Sequence, residues 1–143
     1  MYVRDNFNCI VHLKEMDSKT AERSWHIILS VIGPLLLGLW YRSKDDVAAI
    51  ESLEREWLLL SPNVIGIILV GDLYAHHQYW LNSSETFPCG RKLFDFCKQY
   101  GFFQNVNQAT HDAGTRLDLV LTDLNCLSSA VHIGVSDHRM IKT

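Results

Sequence analysis

Hydrophobic positions along this chain follow a helical period, a strand alternation or unbroken apolar runs. Cys9 to Leu13 reads as a short strand, and Lys14 to Glu22 as a polar turn. From Ile27 to Tyr41 the chain is almost wholly apolar but broken by Gly33-Pro34. Such a stretch is too short for a membrane span of roughly 20 residues. It predicts a hairpin with strands Ser24–Val31 and Leu35–Tyr41 and its turn at Gly33-Pro34. Val47, Ile50, Leu53, Trp57 and Leu60 then recur at spacings of three and four, one face of an amphipathic helix. Ser43 and Asp46 fit a capping pattern before it, and Ser61-Pro62 ends it.

Val64 to Val70 is a continuous apolar run bounded by Pro62-Asn63 and Gly71-Asp72. It predicts a strand buried on both faces that delivers Asp72 to its carboxyl end. Ala75 to Glu85 reads as a loop rich in His and aromatic residues. Gly90 to Tyr100 reads as a helix, with Leu93, Phe94 and Cys97 inward and Gly101 as its terminating glycine. After a polar, irregular stretch from Gln104 to Gly114, Leu117, Leu119 and Leu121 alternate along another strand. A strand from Ala130 to Val135, the Ser136-Asp137-His138 link and a last short strand from Met140 complete the order.

The 143 residues make one domain of ordinary size. With 48% hydrophobic and 20% charged residues the composition is globular, which excludes a disordered or collagenous chain. A net charge of −3 argues against a broadly basic, non-specific nucleic-acid binder. Arg91, Arg116 and Arg139 could meet a phosphate backbone, though single cations are more often solvated surface charges. No apolar leader segment opens the sequence, and Cys9, Cys89, Cys97 and Cys126 form no paired-cysteine motif. Free thiols in a reducing, intracellular compartment are the better reading. A zinc set of Cys89, Cys97, His76 and His77 can be drawn, but its spacing matches no structural zinc pattern.

Candidate chemistry rests on acids in unusual places. Asp72 follows an apolar strand and is either a turn cap or a site residue. Asp118 lies inside an apolar strand, where a carboxylate is costly unless hydrogen-bonded, so a partner is expected. Asp137-His138 sits between two strands. Each alone reads as structural more often than functional.

Four segments taken together resemble the endonuclease/exonuclease/phosphatase superfamily, and within it the endonuclease domains of non-LTR retrotransposons. Gly71-Asp72-Leu73-Tyr74-Ala75-His76-His77, followed by Trp80, resembles the family's G-D-[FL]-N-x-x-H segment. Thr115-Arg116-Leu117-Asp118-Leu119-Val120-Leu121-Thr122 resembles its R-[IL]-D-[YL] strand, and Val135-Ser136-Asp137-His138 its terminal S-D-H. Leu39-Trp40-Tyr41-Arg42 resembles the Y-R-P-P entry to the preceding helix, with Ser43 and Lys44 in place of the prolines. The resemblance implies an α/β sandwich of two mixed sheets with helices outside. It also implies Mg2+- or Mn2+-assisted phosphodiester hydrolysis on DNA.

By that resemblance, Asp72 orients or deprotonates the attacking water, His138 contacts the scissile phosphate, and Asp118 holds His138 through its ring N–H. Asp137 lies near the metal or supports the same cluster. Tyr41 sits beside the phosphate as a hydroxyl donor, or merely packs at a strand end. Tyr74 and His76 fall where substrate is contacted. The family's Asn two residues after the Asp is replaced here by Tyr74, bulkier and with one distant hydroxyl. The family's metal-binding Glu and early Asn find no match; Glu15 and Glu22 lie in the polar turn. One domain over 1–143, lacking the N-terminal strands, is therefore expected, with weak or absent nuclease activity and exposed edges prone to self-association. The competing readings are a non-catalytic remnant or weak nucleic-acid-binding fragment, and a small-molecule phosphatase of the same superfamily. The expected location is intracellular, the nucleus included.

Overall fold

The computed structural model describes residues 10–17, 22–42, 47–80, 85–114, 116–125, 129–131 and 137–142. The apolar stretch forms a hairpin of β2 (Glu22–Ser30) and β3 (Gly33–Tyr41), with β1 (Ile10–His12) antiparallel on its outer edge. The turn is Val31-Ile32, because Ser30 already pairs with Gly33. This corrects the expected Gly33-Pro34 turn. Gly33 has φ +141°, a value L side chains rarely adopt, so it serves as the first residue of the return strand rather than the loop tip. The Ser30 hydroxyl donates to the Gly33 carbonyl at 2.6 Å and closes the turn. Glu22, expected in the polar turn, is the first residue of β2.

The amphipathic pattern becomes α1 (Val47–Leu60), which buries Ile50 and Leu53, with Val47, Trp57 and Leu60 partly buried against the same core. The proposed cap at Ser43–Asp46 lies outside the described residues. β4 (Gly66–Asp72) runs parallel to β3, so β3–α1–β4 is a crossover unit. The strand lies two residues later than expected, which makes Asp72 its last residue. Pro88 starts α2 (Pro88–Tyr100), and Gly101 at φ 74° stops it in the left-handed conformation. β5 (Phe103–Gln104) and β6 (Asp118–Thr122) follow, β6 antiparallel to both β4 and β5. The sheet order is β1-β2-β3-β4-β6-β5, and β7 (Ser129–Val131) pairs with β8 (Met140–Lys142) in a second sheet. This is the α/β, two-sheet class the resemblance implied.

The core lies between the large sheet and the two helices. Trp25, Leu36, Trp40, Ile67, Leu69, Leu119 and Leu121 from alternate strand positions meet Ile50, Leu53, Leu93 and Phe96 of the helices. The opposite face of β4 is less covered: Ile68 and Val70 are only half-buried, which corrects the expectation of a strand buried on both faces. Glu56 on α1 ties helix to sheet, accepting from the indole of Trp25 at 2.6 Å and from the guanidinium of Arg23. Cys89 and Cys97 are buried free thiols, and burial pushes Cys97 up to about 12. No helix among the described residues is long and apolar enough to cross a membrane.

Candidate active site

Three neighbouring strands bring three side chains into one row. Tyr41, the last residue of β3, pairs with Asp72, the last of β4. Asp72 in turn pairs with Asp118, the first of β6. Residues directly opposite in a sheet project on the same face, so the phenol and two carboxylates share one edge of the fold. Gly71 permits the approach: a Cβ there would lie 1.6 Å from the Trp40 carbonyl oxygen. Beyond the strands, the backbone N–H of Arg42 donates to the Asp72 carbonyl at 2.8 Å. The buried Arg42 guanidinium donates to the carbonyls of Leu73 at 2.8 Å and Tyr74 at 3.0 Å. That clamp holds the loop that follows Asp72.

The loop is strained at one residue. Tyr74 has φ +45°, the one non-glycine with positive φ among the described residues. This conformation lets its N–H donate back to Asp72 Oδ1 at 3.2 Å. The Tyr74 ring stands edge-on to His76, with centroids 4.7 Å apart, and His76 leans on Phe87. Burial raises the Asp72 carboxyl above its ordinary value. The Tyr74 N–H opposes that rise, the Asp118 charge adds to it, and His138 and His76 oppose it.

Asp118 has the partner its apolar setting demands. His138 Nδ1 lies 3.0 Å from Asp118 Oδ2. A carboxylate only accepts, so Nδ1 carries the proton and Nε2 is left to face outward chemistry. The His138 pKa is raised, first by this hydrogen bond, against burial, and then by the charges of Asp118, Asp137 and Asp72. The cluster is assembled by residues that sequence reasoning missed. The buried Thr110 hydroxyl oxygen accepts from the N–H groups of Leu117 at 2.9 Å and Asp118 at 3.0 Å, fixing the start of β6. The Thr110 carbonyl accepts from Arg139 N–H at 2.7 Å, and Asp137 carbonyl from Asp112 N–H at 2.9 Å. Between them His111 and His138 form an antiparallel bridge. The segment around Thr110 thus zips onto the segment around His138 and presents its imidazole to Asp118.

The structure therefore unites Tyr41, Asp72, Asp118 and His138, with Tyr74 and His76 on the flank. Asp137 is mostly exposed and lies 3.3 Å from His111 Nε2, beside His138. Ser136 lies outside the described residues. His77 is a core residue: it is buried and stacks on Phe94 at 4.3 Å, and burial, then Arg91, lowers its pKa. The Cys89 thiol is turned to the Tyr74 carbonyl at 3.4 Å. The drawn zinc set is not assembled among the described residues: Cys89, Cys97 and His77 are buried in the core, while His76 lies beside Tyr74. In the sequence Arg42 stands out only within the Leu39–Arg42 motif, and Thr110 and His111 carry no periodic signal. Among the described residues, His111, Asp137 and His138 form the group with ligand atoms close enough for a metal ion.

Comparisons with known proteins point the same way. A family described as endonuclease–reverse transcriptase matches residues 35–142. The structure is similar to the endonuclease domain of TRAS1, a telomere-specific non-LTR retrotransposon, with a TM-score of 0.70 at 15% identity over 92% of this chain. It is also similar to an endonuclease/exonuclease/phosphatase family protein from Bacteroides thetaiotaomicron, with a TM-score of 0.52 at 13% identity over 83% of this chain. At these identities the likeness is one of fold. The chain spans 66% and 54% of the lengths of those two proteins. No curated protein sequence matches it.

Proposed function

Because this chain belongs to the endonuclease–reverse transcriptase family, we propose that it is a divalent-metal-assisted phosphodiesterase acting on DNA, an endonuclease-like domain of retroelement origin. The observation that carries the reading is the row Tyr41–Asp72–Asp118 with His138 held on Asp118. Asp72, ionised and partly buried, takes the proton of the attacking water or orients it. His138, kept charged by Asp118, donates from Nε2 to a phosphate oxygen. Tyr41, half-exposed at its strand end, offers a hydroxyl to the same phosphate.

The carboxylates of Asp72 and Asp118 fit a hard, oxygen-seeking ion such as Mg2+ (or Mn2+), which binds through one or two carboxylates, water and substrate phosphate. The Asp118 charge raises the cost of ionising Asp72, which a cation relieves. When bound, the ion supplies charge neutralisation at the phosphate and the leaving oxygen. Asp118 is already engaged by His138, so Asp72 is the principal donor. Tyr74 stands where the family places an amide, and with the family's metal-binding Glu unmatched, slow turnover is expected. The same substitution favours the second reading, a non-catalytic nucleic-acid-binding fragment. A DNA substrate implies a nuclear location, and the outer strand β1, with exposed Val11, offers an edge for self-association read by size-exclusion chromatography.

Nicking of supercoiled plasmid by the purified chain with Mg2+ tests the proposal. Nicking that His138→Ala abolishes supports it. Plasmid binding without nicking favours the fragment reading, and neither overturns both.

A further inference from the structure

His111, Asp137 and His138 each offer one ligand atom, and the three atoms lie within 4.8 Å of one another. We infer that they form a binding site for Zn2+ or a similar borderline transition ion, distinct in chemistry from the all-oxygen Mg2+ site. Two imidazoles and one carboxylate with an open position are a donor set for such ions, whereas Mg2+ selects oxygen.

The surroundings prepare two of the three ligands. His138 Nδ1 donates to Asp118 Oδ2 at 3.0 Å, so a metal is taken at Nε2, in the neutral form of the ring. A carboxylate behind a ligating imidazole is the usual second support of such sites. His111 is fixed by its backbone bridge to His138 and stands edge-on to that ring, with centroids 5.2 Å apart. Its Nε2 already faces Asp137 Oδ2 at 3.3 Å. Zinc bonds of about 2.0–2.1 Å require ligand atoms about 3.4 Å apart, so the group, now within 4.8 Å, must close by up to about 1.4 Å. The closure falls on Asp137, whose side chain is 71% exposed.

Loading has one chemical consequence at His111. Its Nδ1 accepts from the Ala113 N–H at 3.0 Å, so its proton sits on Nε2. Metal binding displaces that proton, and Nδ1 takes one up from solvent, so the bond to Ala113 is lost. The site is therefore one of moderate affinity. An ion there occupies His138 Nε2 and would block its contact with phosphate. That inhibitory consequence rests on the function proposed above; the binding itself does not.

The test is Zn2+ titration of the purified, thiol-reduced chain in competition with a chromophoric chelator, alongside Co2+ absorption, without nucleic acid. One ion per chain is expected, with visible Co2+ bands and no thiolate charge-transfer band. His111→Gln and Asp137→Asn, both at partly or fully exposed positions, should each weaken binding at least tenfold while circular dichroism is unchanged. A thiolate band, equal affinity in both variants, or no binding at millimolar Zn2+ overturns the inference. Nicking supported by Mg2+ alone reads the proposed function separately, so either can fail without the other.

Discussion

Replacing Asp118 by Asn keeps the shape of the side chain and removes its charge. The amide oxygen can still accept from His138 Nδ1, so what is lost is the charge assistance of one 3.0 Å hydrogen bond. A charge-assisted bond contributes about 1.5–3 kcal/mol and a neutral one about 1, a difference of about 0.5–2 kcal/mol under full burial. The His138 side chain is 38% exposed, so solvent screening reduces this to about 0.5–1 kcal/mol. The sign follows from the raised His138 pKa. The stabilisation is fully present below the unfolded value of 6.5 and is lost as pH rises through the folded pKa. Urea unfolding followed by the fluorescence of the four tryptophans should therefore show Asp118→Asn less stable by about 0.5–1 kcal/mol at pH 6. The gap should narrow toward pH 9, where the imidazole is neutral and only the carboxylate charge assists the bond. Relief of repulsion on Asp72 acts nearly equally at both pH values, so the pH difference isolates the histidine. A penalty that is constant with pH, or larger at pH 9, would refute the pairing.

Other substitutions probe the neighbouring residues. Tyr74→Asn places a residue tolerant of left-handed backbone at φ +45° and should raise urea stability by about 0.5–1 kcal/mol. It also restores an amide beside Asp72 and should raise plasmid nicking by about 10²-fold; an unchanged rate would remove Tyr74 as a cause of slow turnover. Glu56→Ala strips the acceptor from Trp25 and Arg23, whose ion pair with Glu56 is only 14% and 12% exposed. The stranded guanidinium should cost about 3 kcal/mol in urea unfolding, and a loss under 1 kcal/mol would make this pair ornamental.

The regular elements were legible because each rests on local period. The spacing of Ile50, Leu53 and Trp57 wrote α1, and the alternation of Leu117, Leu119 and Leu121 wrote β6. The hairpin turn was misplaced because Gly-Pro is a strong turn signal, while Gly33 is needed at the first paired position. Asp72, Asp118 and His138 were legible as motif positions, and Asp118 also as a charge that needed a partner. Thr110, His111 and Arg42 were not. They act through backbone groups and neighbours far along the chain, such as the bridge from His111 to His138, and such pairing leaves no period in sequence.

The central claim is that Asp72 and His138 act on one phosphodiester in opposite protonation states. The pH–rate profile of Mg2+-supported plasmid nicking tests it most directly. Asp72 must be ionised; burial raises its pKa and a bound cation opposes that rise, so the rate should fall on an acidic limb. His138 must be charged, and Asp118 raises its pKa, so the rate should fall on an alkaline limb above 6.5. Asp118→Asn should move that alkaline limb to lower pH. An alkaline limb that stays in place in Asp118→Asn, or that survives His138→Gln, would contradict the account.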